Sequence, residues 1–275
     1  MKYTGLLCAI ICLVTSCQTV VIQPRPRATR QSTRPFRGFA VDPVFGSRIF
    51  IYEVGRHHDE TVILVHGLDN RASGVWENQV AALAEEYHVI VLDLPGFGRS
   101  DKGNELYSPT NYAHVLKALV DRRVEGEFAL VGHGLGGLIA LRYAALYPRD
   151  LDRLVLIDVM GVLHRKALAR YIAGTLATGT FPSAVAVPDP EDKARAALAT
   201  RARREEAFGG EPRRIAAAAL LREDIGPALP SIKAPALILW GAEDAVAPKR
   251  VAKLLSARLP NARFKVMQIG RASCR

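Results

Sequence analysis

Six short apolar runs recur along this 275-residue chain, and their spacing constrains the fold more than any other feature. The runs contain β-branched residues, and continuous apolar runs of this kind are typical of strands buried on both faces of a parallel sheet. Segments with helical periodicity lie between the runs. The alternation predicts an α/β fold with a doubly wound, mostly parallel sheet, in which ligands bind at the carboxyl ends of the strands. The predicted strands are 61–66, 88–93, 128–132, 153–158, 235–241 and 263–269, and the predicted helices are 76–87, 111–123, 135–147 and 249–259.

One interval breaks this alternation. From Gly161 to about Ala228 no run indicates a strand, and the segment is rich in alanine and arginine with helical character. An interval of this length is far longer than a crossover helix needs. We therefore expect a helical cap at about 161–228, inserted between two strands of a domain that covers residues 38–275.

The N-terminus has the features of an export signal. Lys2 precedes an apolar run at 5–14 that is too short to span a bilayer, and the sequence VTSC follows, ending at Cys17. This ending resembles a bacterial lipobox, in which the cysteine is acylated and becomes the first residue. We expect residues 1–16 to be a signal peptide and Cys17 to anchor the protein in the membrane of the bacterial cell envelope. Gln18, in place of an aspartate, favours the outer membrane facing the periplasm.

A basic segment at 17–37 follows the predicted anchor. Between Gln18 and Arg37 the sequence has five arginines, three prolines and no acid, so it carries half of the formal net charge of +10. This composition cannot bury a core and predicts a flexible tether. Because the charge is concentrated in the tether of an exported chain, we expect anionic lipid headgroups as partners and no nucleic acid. Cys274 would have no partner for an intrachain disulfide.

Four short motifs each follow a predicted strand. They are His66-Gly67, LPGFGRSD at 94–101, GHGLGG at 132–137 and GAEDAV at 241–246. In this order and at these positions they closely resemble the α/β-hydrolase superfamily, the capped kind that includes esterases, lactonases and C–C bond hydrolases. The resemblance covers about residues 38–270. It implies a small apolar ester-like substrate or ligand, with no cofactor and no metal.

The resemblance also implies a role for individual residues. The third motif would be a nucleophile elbow, G-x-S-x-G, whose glycines allow strand and helix to approach closely. The backbone N–H groups of Leu68 and Leu135 would form the oxyanion hole. Asp244 would be the acid of the catalytic triad, and Asp158 occupies the alternative position for that acid.

Two positions depart from the family pattern. Gly134 stands where the elbow carries serine, and glycine has no side-chain atom that could attack a carbonyl. The family's base is a histidine in a Gly-His pair after the last strand, but here Gly270 is followed by Arg271, which stays protonated and cannot accept a proton. No histidine follows His164 in the sequence. We therefore expect activity to be lost or strongly impaired.

Four other side chains near these motifs are alternatives for the chemistry. We expect Ser100 and His66 to be structural, with His66 bracing the oxyanion loop. His133, at the variable position of the elbow, is expected to pack or hydrogen-bond locally. His164, at the entrance of the predicted cap, is a candidate for ligand binding or proton transfer, paired with Asp158.

Three interpretations of the chain remain open. It is an inactive or crippled member of an ester-hydrolase lineage, a noncatalytic module whose capped pocket holds an apolar ligand, or the truncated product of an active hydrolase gene. The third rests on the ending GRASCR, where relatives continue into a further helix. The two catalytic departures favour the first, because losing the nucleophile or its base typically lowers turnover on the order of a millionfold.

Overall fold

Eight β-strands form one sheet in the part of the chain that the computed structural model describes, namely residues 34–162, 195–220, 222–242, 244 and 249–268. The strands are β1 Phe36–Val41, β2 Arg48–Val54, β3 Thr61–Val65, β4 His88–Leu92, β5 Phe128–His133, β6 Leu151–Ile157, β7 Ala236–Gly241 and β8 Ala262–Met267. Their order in the sheet is β1-β2-β4-β3-β5-β6-β7-β8. β2 pairs antiparallel with both β1 and β4, and all other pairings are parallel. The predicted α/β fold with a mostly parallel sheet is confirmed.

The sequence pattern did not indicate β1 and β2. β1 begins at Phe36, inside the segment predicted to be a tether and before the domain boundary predicted at residue 38. Its residues alternate between half-buried and exposed, because β1 lies at the edge of the sheet with β2 as its neighbour. An edge strand lacks the continuous apolar run that marks the central strands, so a search for such runs passes over it.

Helices follow the central strands. The described helices are α1 Glu77–Leu83, α2 Pro109–Arg123, α3 Leu135–Leu146, α4 Arg201–Phe208, α5 Pro212–Leu220 and α6 Lys249–Arg258, with 3-10 segments at Ala72–Trp76 and Gly226–Ser231 and a helical turn at 195–198. α2 begins at Pro109 because the Ser108 hydroxyl accepts the N–H of Asn111 (3.1 Å), while proline has no N–H that would need a partner in the first turn. Among the helices described, none is long and apolar enough to cross a bilayer.

Apolar side chains cover both faces of the sheet. In β3, Ile63 and Val65 belong to the large buried cluster that includes α2, α3 and α6, whereas Val62 and Leu64 belong to the cluster beneath α1. This alternation follows from the two-residue period of a strand. α3 lies at the centre of the large cluster and nearly all of its residues are buried. The turn that precedes α3 is therefore fixed by packing.

The described part of the predicted cap is helical. Residues 163–194 of that interval lie outside the described residues, and α4 and α5 follow. The buried Arg204 of α4 donates to the side-chain and backbone oxygens of Asn104 (3.0 and 2.8 Å), in the loop after β4. α5 begins beside the same loop, since a Cβ at Gly96 would come within 2.7 Å of Pro212. These helices lie beside the loop at the carboxyl end of β4.

Candidate active site

The turn at Gly134 joins β5 to α3 in an unusual backbone conformation. Gly134 has φ 58° and ψ −112°. Its N–H donates to the carbonyl oxygen of Ile157 (2.9 Å), and its own carbonyl accepts the N–H of Met160 (3.1 Å). Positive φ is strained for residues with a side chain, and a strained strand-to-helix turn is the geometry of a nucleophile elbow. The structure therefore contains the predicted turn, with glycine at its apex.

The glycines that flank the apex are required by close backbone contacts. A Cβ at Gly132 would lie 2.2 Å from the carbonyl oxygen of Gly136, and a Cβ at Gly136 would lie 2.2 Å from that of Val65. No side chain fits at either position. At Gly134, by contrast, the nearest atom to a Cβ would be the Met160 Sδ at 3.5 Å, an ordinary contact. The apex thus has space for a side chain that it does not carry.

Two buried backbone donors lie next to the apex. Leu135 is the first residue of α3, where N–H groups have no partner within the helix and the helix dipole favours an anion. Leu68 follows Gly67, whose Cα would lie 3.7 Å from a Cβ at position 134. Neither the Leu68 nor the Leu135 N–H has an acceptor among the residues described. Two such donors beside an elbow are the arrangement that binds the oxyanion of an acyl-transfer intermediate.

His66 fixes the loop that carries Leu68. Its Nε2 accepts the N–H of Leu94 (3.0 Å), so the proton of the neutral ring is on Nδ1, which donates to the carbonyl oxygen of Gly67 (2.7 Å). Burial lowers the pKa of His66 and keeps the ring neutral. The side chain joins the loop after β3 to the loop after β4, which is the structural role expected from the sequence.

Two carboxylates follow the neighbouring strands β6 and β7. Asp158, directly after β6, is fully buried and has φ 44°, which is rare for a residue other than glycine. Its carboxylate accepts the N–H of Gly241, the last residue of β7 (2.9 Å). Asp244 follows in the next loop, where its N–H approaches the carbonyl oxygen of Gly241 (3.4 Å). Both positions predicted for a triad acid therefore follow the carboxyl ends of neighbouring strands, as Gly134 does.

Ser100 and His133 have contacts within the fold. The Ser100 hydroxyl donates to the carbonyl oxygen of Asp93 (2.5 Å) and accepts the N–H of Phe50 (2.9 Å), which ties β2 to the loop after β4. His133 is buried at the end of β5, with its ring edge-on to Trp76 at a centroid distance of 6.5 Å. Ser100 is thus engaged in structure rather than available as a replacement nucleophile.

Sequence reasoning missed Asp93 and Met160. The Asp93 carboxylate accepts the backbone N–H groups of Ser73 and Arg99 and the Arg99 Nε–H, each at 2.9 Å. Burial opposes ionisation of Asp93, but these hydrogen bonds outweigh it and lower the pKa of the carboxyl. An acid at a strand end, followed by glycines, was the available signal. Met160 lies against the apex, but a methionine in an apolar stretch gives no chemical signal.

Three predicted positions, Cys17, His164 and Arg271, lie outside the described residues. The interpretation of these three therefore rests on the sequence. Within the described ranges, no group of three or more histidine, cysteine, aspartate or glutamate side chains is placed to hold a metal ion.

Comparisons with known proteins agree with this geometry. Residues 62–269 match the alpha/beta hydrolase family. The uncharacterized hydrolase YugF of Bacillus subtilis is 28% identical over 250 residues, covering 84% of this chain and 89% of that protein. A 2-hydroxy-6-oxononadienedioate/2-hydroxy-6-oxononatrienedioate hydrolase of Paraburkholderia phymatum is 30% identical over 230 residues, covering 75% of this chain and 78% of that protein.

The solved structures that resemble this one include a bacterial membrane phospholipase A. It has a TM-score of 0.65 at 28% identity, covering 85% of this chain and 78% of that one. An esterase from Exiguobacterium antarcticum has a TM-score of 0.67 at 20% identity, covering 85% and 91%, and therefore supports the fold alone. The family match covers most of the chain, and the sheet order agrees with it. The protein therefore belongs to the alpha/beta hydrolase family.

Proposed function

We propose that this chain is an envelope lipoprotein of an ester- and acyl-hydrolase lineage in which hydrolytic turnover is lost or strongly reduced. The observation that carries the proposal is the glycine at the apex of an otherwise retained elbow. Gly134 has the backbone conformation of the elbow, with φ 58° and ψ −112°, and lies beside the donors of Leu68 and Leu135, yet it supplies no attacking atom. The turn therefore retains its shape without its nucleophile.

The base position of the sequence points to the same conclusion. A serine hydrolase needs a nucleophile and a base that act as a unit. The sequence has Arg271 in place of the histidine, and a guanidinium does not accept a proton at any relevant pH. Loss of either partner typically lowers turnover on the order of a millionfold, which leaves about a thousandfold over the reaction in water. The residual rate would be too slow for an enzyme of metabolism.

A second function, binding of a small apolar ester-like or acyl ligand, is favoured by what the site retains. The N–H groups of Leu68 and Leu135 offer two donors for a carbonyl or carboxylate oxygen. The thioether of Met160 lies against an apex without a side chain, which leaves apolar space beside those donors. The likeness to a phospholipase supports an acyl group as the apolar part of such a ligand.

Turnover of p-nitrophenyl butyrate tests the loss of catalysis. We expect background rates from the parent, from Gly134→Ser and from Arg271→His, because a serine without a base and a histidine without a serine are equally inactive. The double variant Gly134→Ser/Arg271→His is expected to hydrolyse the ester above all three. Serine fits at the apex, since the nearest atom to its Cβ would be 3.5 Å away.

Two further variants control this experiment. Asp244→Ala in the double variant should remove the recovered activity, because Asp244 would orient the new imidazole. His164→Ala should leave it unchanged. Robust turnover by the purified parent that disappears with His164→Ala, but not with Asp244→Ala, would contradict the proposal and indicate an active site at the cap entrance.

We also propose that Cys17 is acylated and that the protein is held at the outer membrane, facing the periplasm. The sequence VTSC at 14–17 and the basic segment that follows it support this. On phase separation with a nonionic detergent, the parent should enter the detergent phase and Cys17→Ala should remain in the aqueous phase. Cys274→Ala is the matched control and should behave like the parent. Equal partitioning of the parent and Cys17→Ala would refute the anchor.

A further inference from the structure

The outer face of β1 combines apolar and basic side chains. Every second residue of this edge strand is exposed, namely Arg37, Phe39 (49%) and Val41 (56%). Val44, in the turn that follows, is 37% exposed. Within the described residues five large apolar side chains are exposed, and three of them lie in this short stretch. Exposed apolar residues clustered in this way indicate a contact surface rather than chance exposure.

The neighbouring strand extends this face with aromatic and basic residues. In the pairing of β1 with β2, Arg37 lies opposite Tyr52 and Val41 lies opposite Arg48. The Arg37 guanidinium lies over the Tyr52 ring at 5.0 Å, and that of Arg48 lies over the Phe39 ring at 5.5 Å. Arginine therefore alternates with aromatic and apolar groups across both strands, an arrangement suited to the boundary between an apolar and a charged environment.

The charge of this face is positive. Arg37 is exposed and forms no ion pair with a described residue. Arg48 is paired with Asp101 (3.0 Å), but both side chains are solvent-exposed and the pair is weak. Asp42 is buried, and its carboxylate is occupied by N–H groups of the following turn. Acidic groups therefore do not cancel the charge.

We propose that this face, defined by Arg37, Phe39, Val41, Val44 and Arg48, binds the surface of an anionic lipid bilayer. The aromatic and apolar side chains would enter the headgroup region while the arginines pair with lipid phosphates. In the sequence, residues 18–35 precede β1 and contain four arginines, at 25, 27, 30 and 34, and no acid. This contact is independent of acylation at Cys17 and would orient the folded domain on the membrane.

A second copy of the chain is the competing occupant of this face. An edge strand presents unpaired backbone N–H and C=O groups that a second strand could use. In a two-fold dimer, however, the same patch meets itself, which would bring the arginines of both copies together. A bilayer of anionic lipid supplies the opposite charge instead, so the charge of the face favours lipid.

Vesicle sedimentation tests the proposal on the chain from Gln18 onward, which lacks Cys17 and contains the whole compact unit Ser32–Arg275. The parent should bind vesicles of phosphatidylglycerol and phosphatidylcholine far more tightly than vesicles of phosphatidylcholine alone. We expect Phe39→Ser/Val41→Ser to weaken this binding at least tenfold. Arg37→Gln should weaken it about fivefold at low salt and less at high salt.

The chain offers a matched control in Leu146→Ser/Leu237→Ser. This double variant also removes two exposed apolar side chains, but outside β1 and its turn, and it should bind like the parent. Equal binding by all variants would overturn the proposal and assign lipid binding to the basic tether. A lipid-free dimer that Phe39→Ser/Val41→Ser dissociates would also overturn it, in favour of a second copy. Arg37→Gln tests the same face if the Phe39 variant fails to fold.

Discussion

Three glycines at the junction of β5 and α3, namely Gly132, Gly134 and Gly136, are present for two different physical reasons. At Gly132 and Gly136 a Cβ would clash with a backbone oxygen at 2.2 Å, and neither oxygen can move without displacing β3 or α3. At Gly134 a Cβ meets no obstacle, and the only penalty is the positive φ of 58°. The apex therefore tolerates a side chain at a modest cost, whereas the flanking positions do not tolerate one.

Alanine substitutions should separate these two effects. We expect Gly134→Ala to lower the free energy of unfolding by about 1–2 kcal/mol, and the melting temperature by roughly 2–8 °C. Gly132→Ala is expected to lower the free energy of unfolding by more than about 4 kcal/mol, or to prevent folding, because the backbone at Gly136 must move. Thermal unfolding followed by circular dichroism measures both.

Gly126→Ala is the matched control for this pair. Gly126 also has positive φ (80°), and no atom lies within 4 Å of a Cβ built there. Its substitution should resemble Gly134→Ala. If Gly132→Ala melted at the temperature of Gly126→Ala, the packing explanation for the flanking glycine would be wrong.

The residues of the site differ in how far sequence could predict them. The elbow glycines and the two donor positions are backbone features tied to short motifs, so the order of the amino acids is enough to locate them. Asp93 could not be assigned its role, because its partners Ser73 and Arg99 come from separate loops that meet only in the folded chain. The contact of Met160 with the apex has the same origin.

Among the secondary-structure elements, burial decided which ones the sequence could predict. The six predicted strands lie within two residues of their predicted bounds. Five of them lie inside the sheet, where both faces are covered and the sequence is an apolar run. The sixth, β8, is the other edge strand, and its residues alternate between half-buried and exposed. The sequence did not predict β1, because Arg37, Phe39 and Val41 are exposed and interrupt the apolar pattern. α1 ends at Leu83 rather than at the predicted Tyr87, because the chain must turn before β4 begins at His88.

Contacts between distant elements could not be predicted at all. Arg204 and Asn104 are 100 residues apart, yet the side chain of one donates to two oxygens of the other. Asn104 in turn donates to the Glu205 carboxylate (2.8 Å) and to the carbonyl oxygen of Arg201 (3.0 Å). No sequence period connects the two segments. This buried network holds α4 on the loop after β4.

For the molecule as a whole, two buried histidines make stability depend on pH. Burial lowers the pKa of both His66 and His88 below the ordinary value of 6.5. As the pH falls through about 6.5 the unfolded chain takes up protons at both residues, while the folded chain remains neutral there. The contribution of these two histidines to the free energy of unfolding is therefore fully present above about pH 7. It decreases at lower pH, by at most about 1.4 kcal/mol per pH unit for each histidine.

Urea unfolding at about pH 7.5, 6.5 and 5.5 measures this dependence. His88→Gln should reduce the decrease, because it removes one of the two imidazoles whose pKa burial lowers. The Nδ1 of His88 lies 3.2 Å from the Thr61 hydroxyl. His57→Gln is the control at an exposed position and should leave the decrease unchanged. The same free energy of unfolding at the two extremes of pH would show that the buried histidines do not control acid stability.

The glycine at position 134 also affects which mutations of this turn can be retained. A serine codon of the AGC type and a glycine codon of the GGC type differ by one base, so the reverse mutation is within easy reach. Serine would restore strain at φ 58°. On the function proposed above it would give no rate, because Arg271 stands at the position of the base. Selection would meet only a less stable protein at that step. If the proposed loss of catalysis is correct, we therefore expect such a lineage to change its binding properties more readily than it regains hydrolysis.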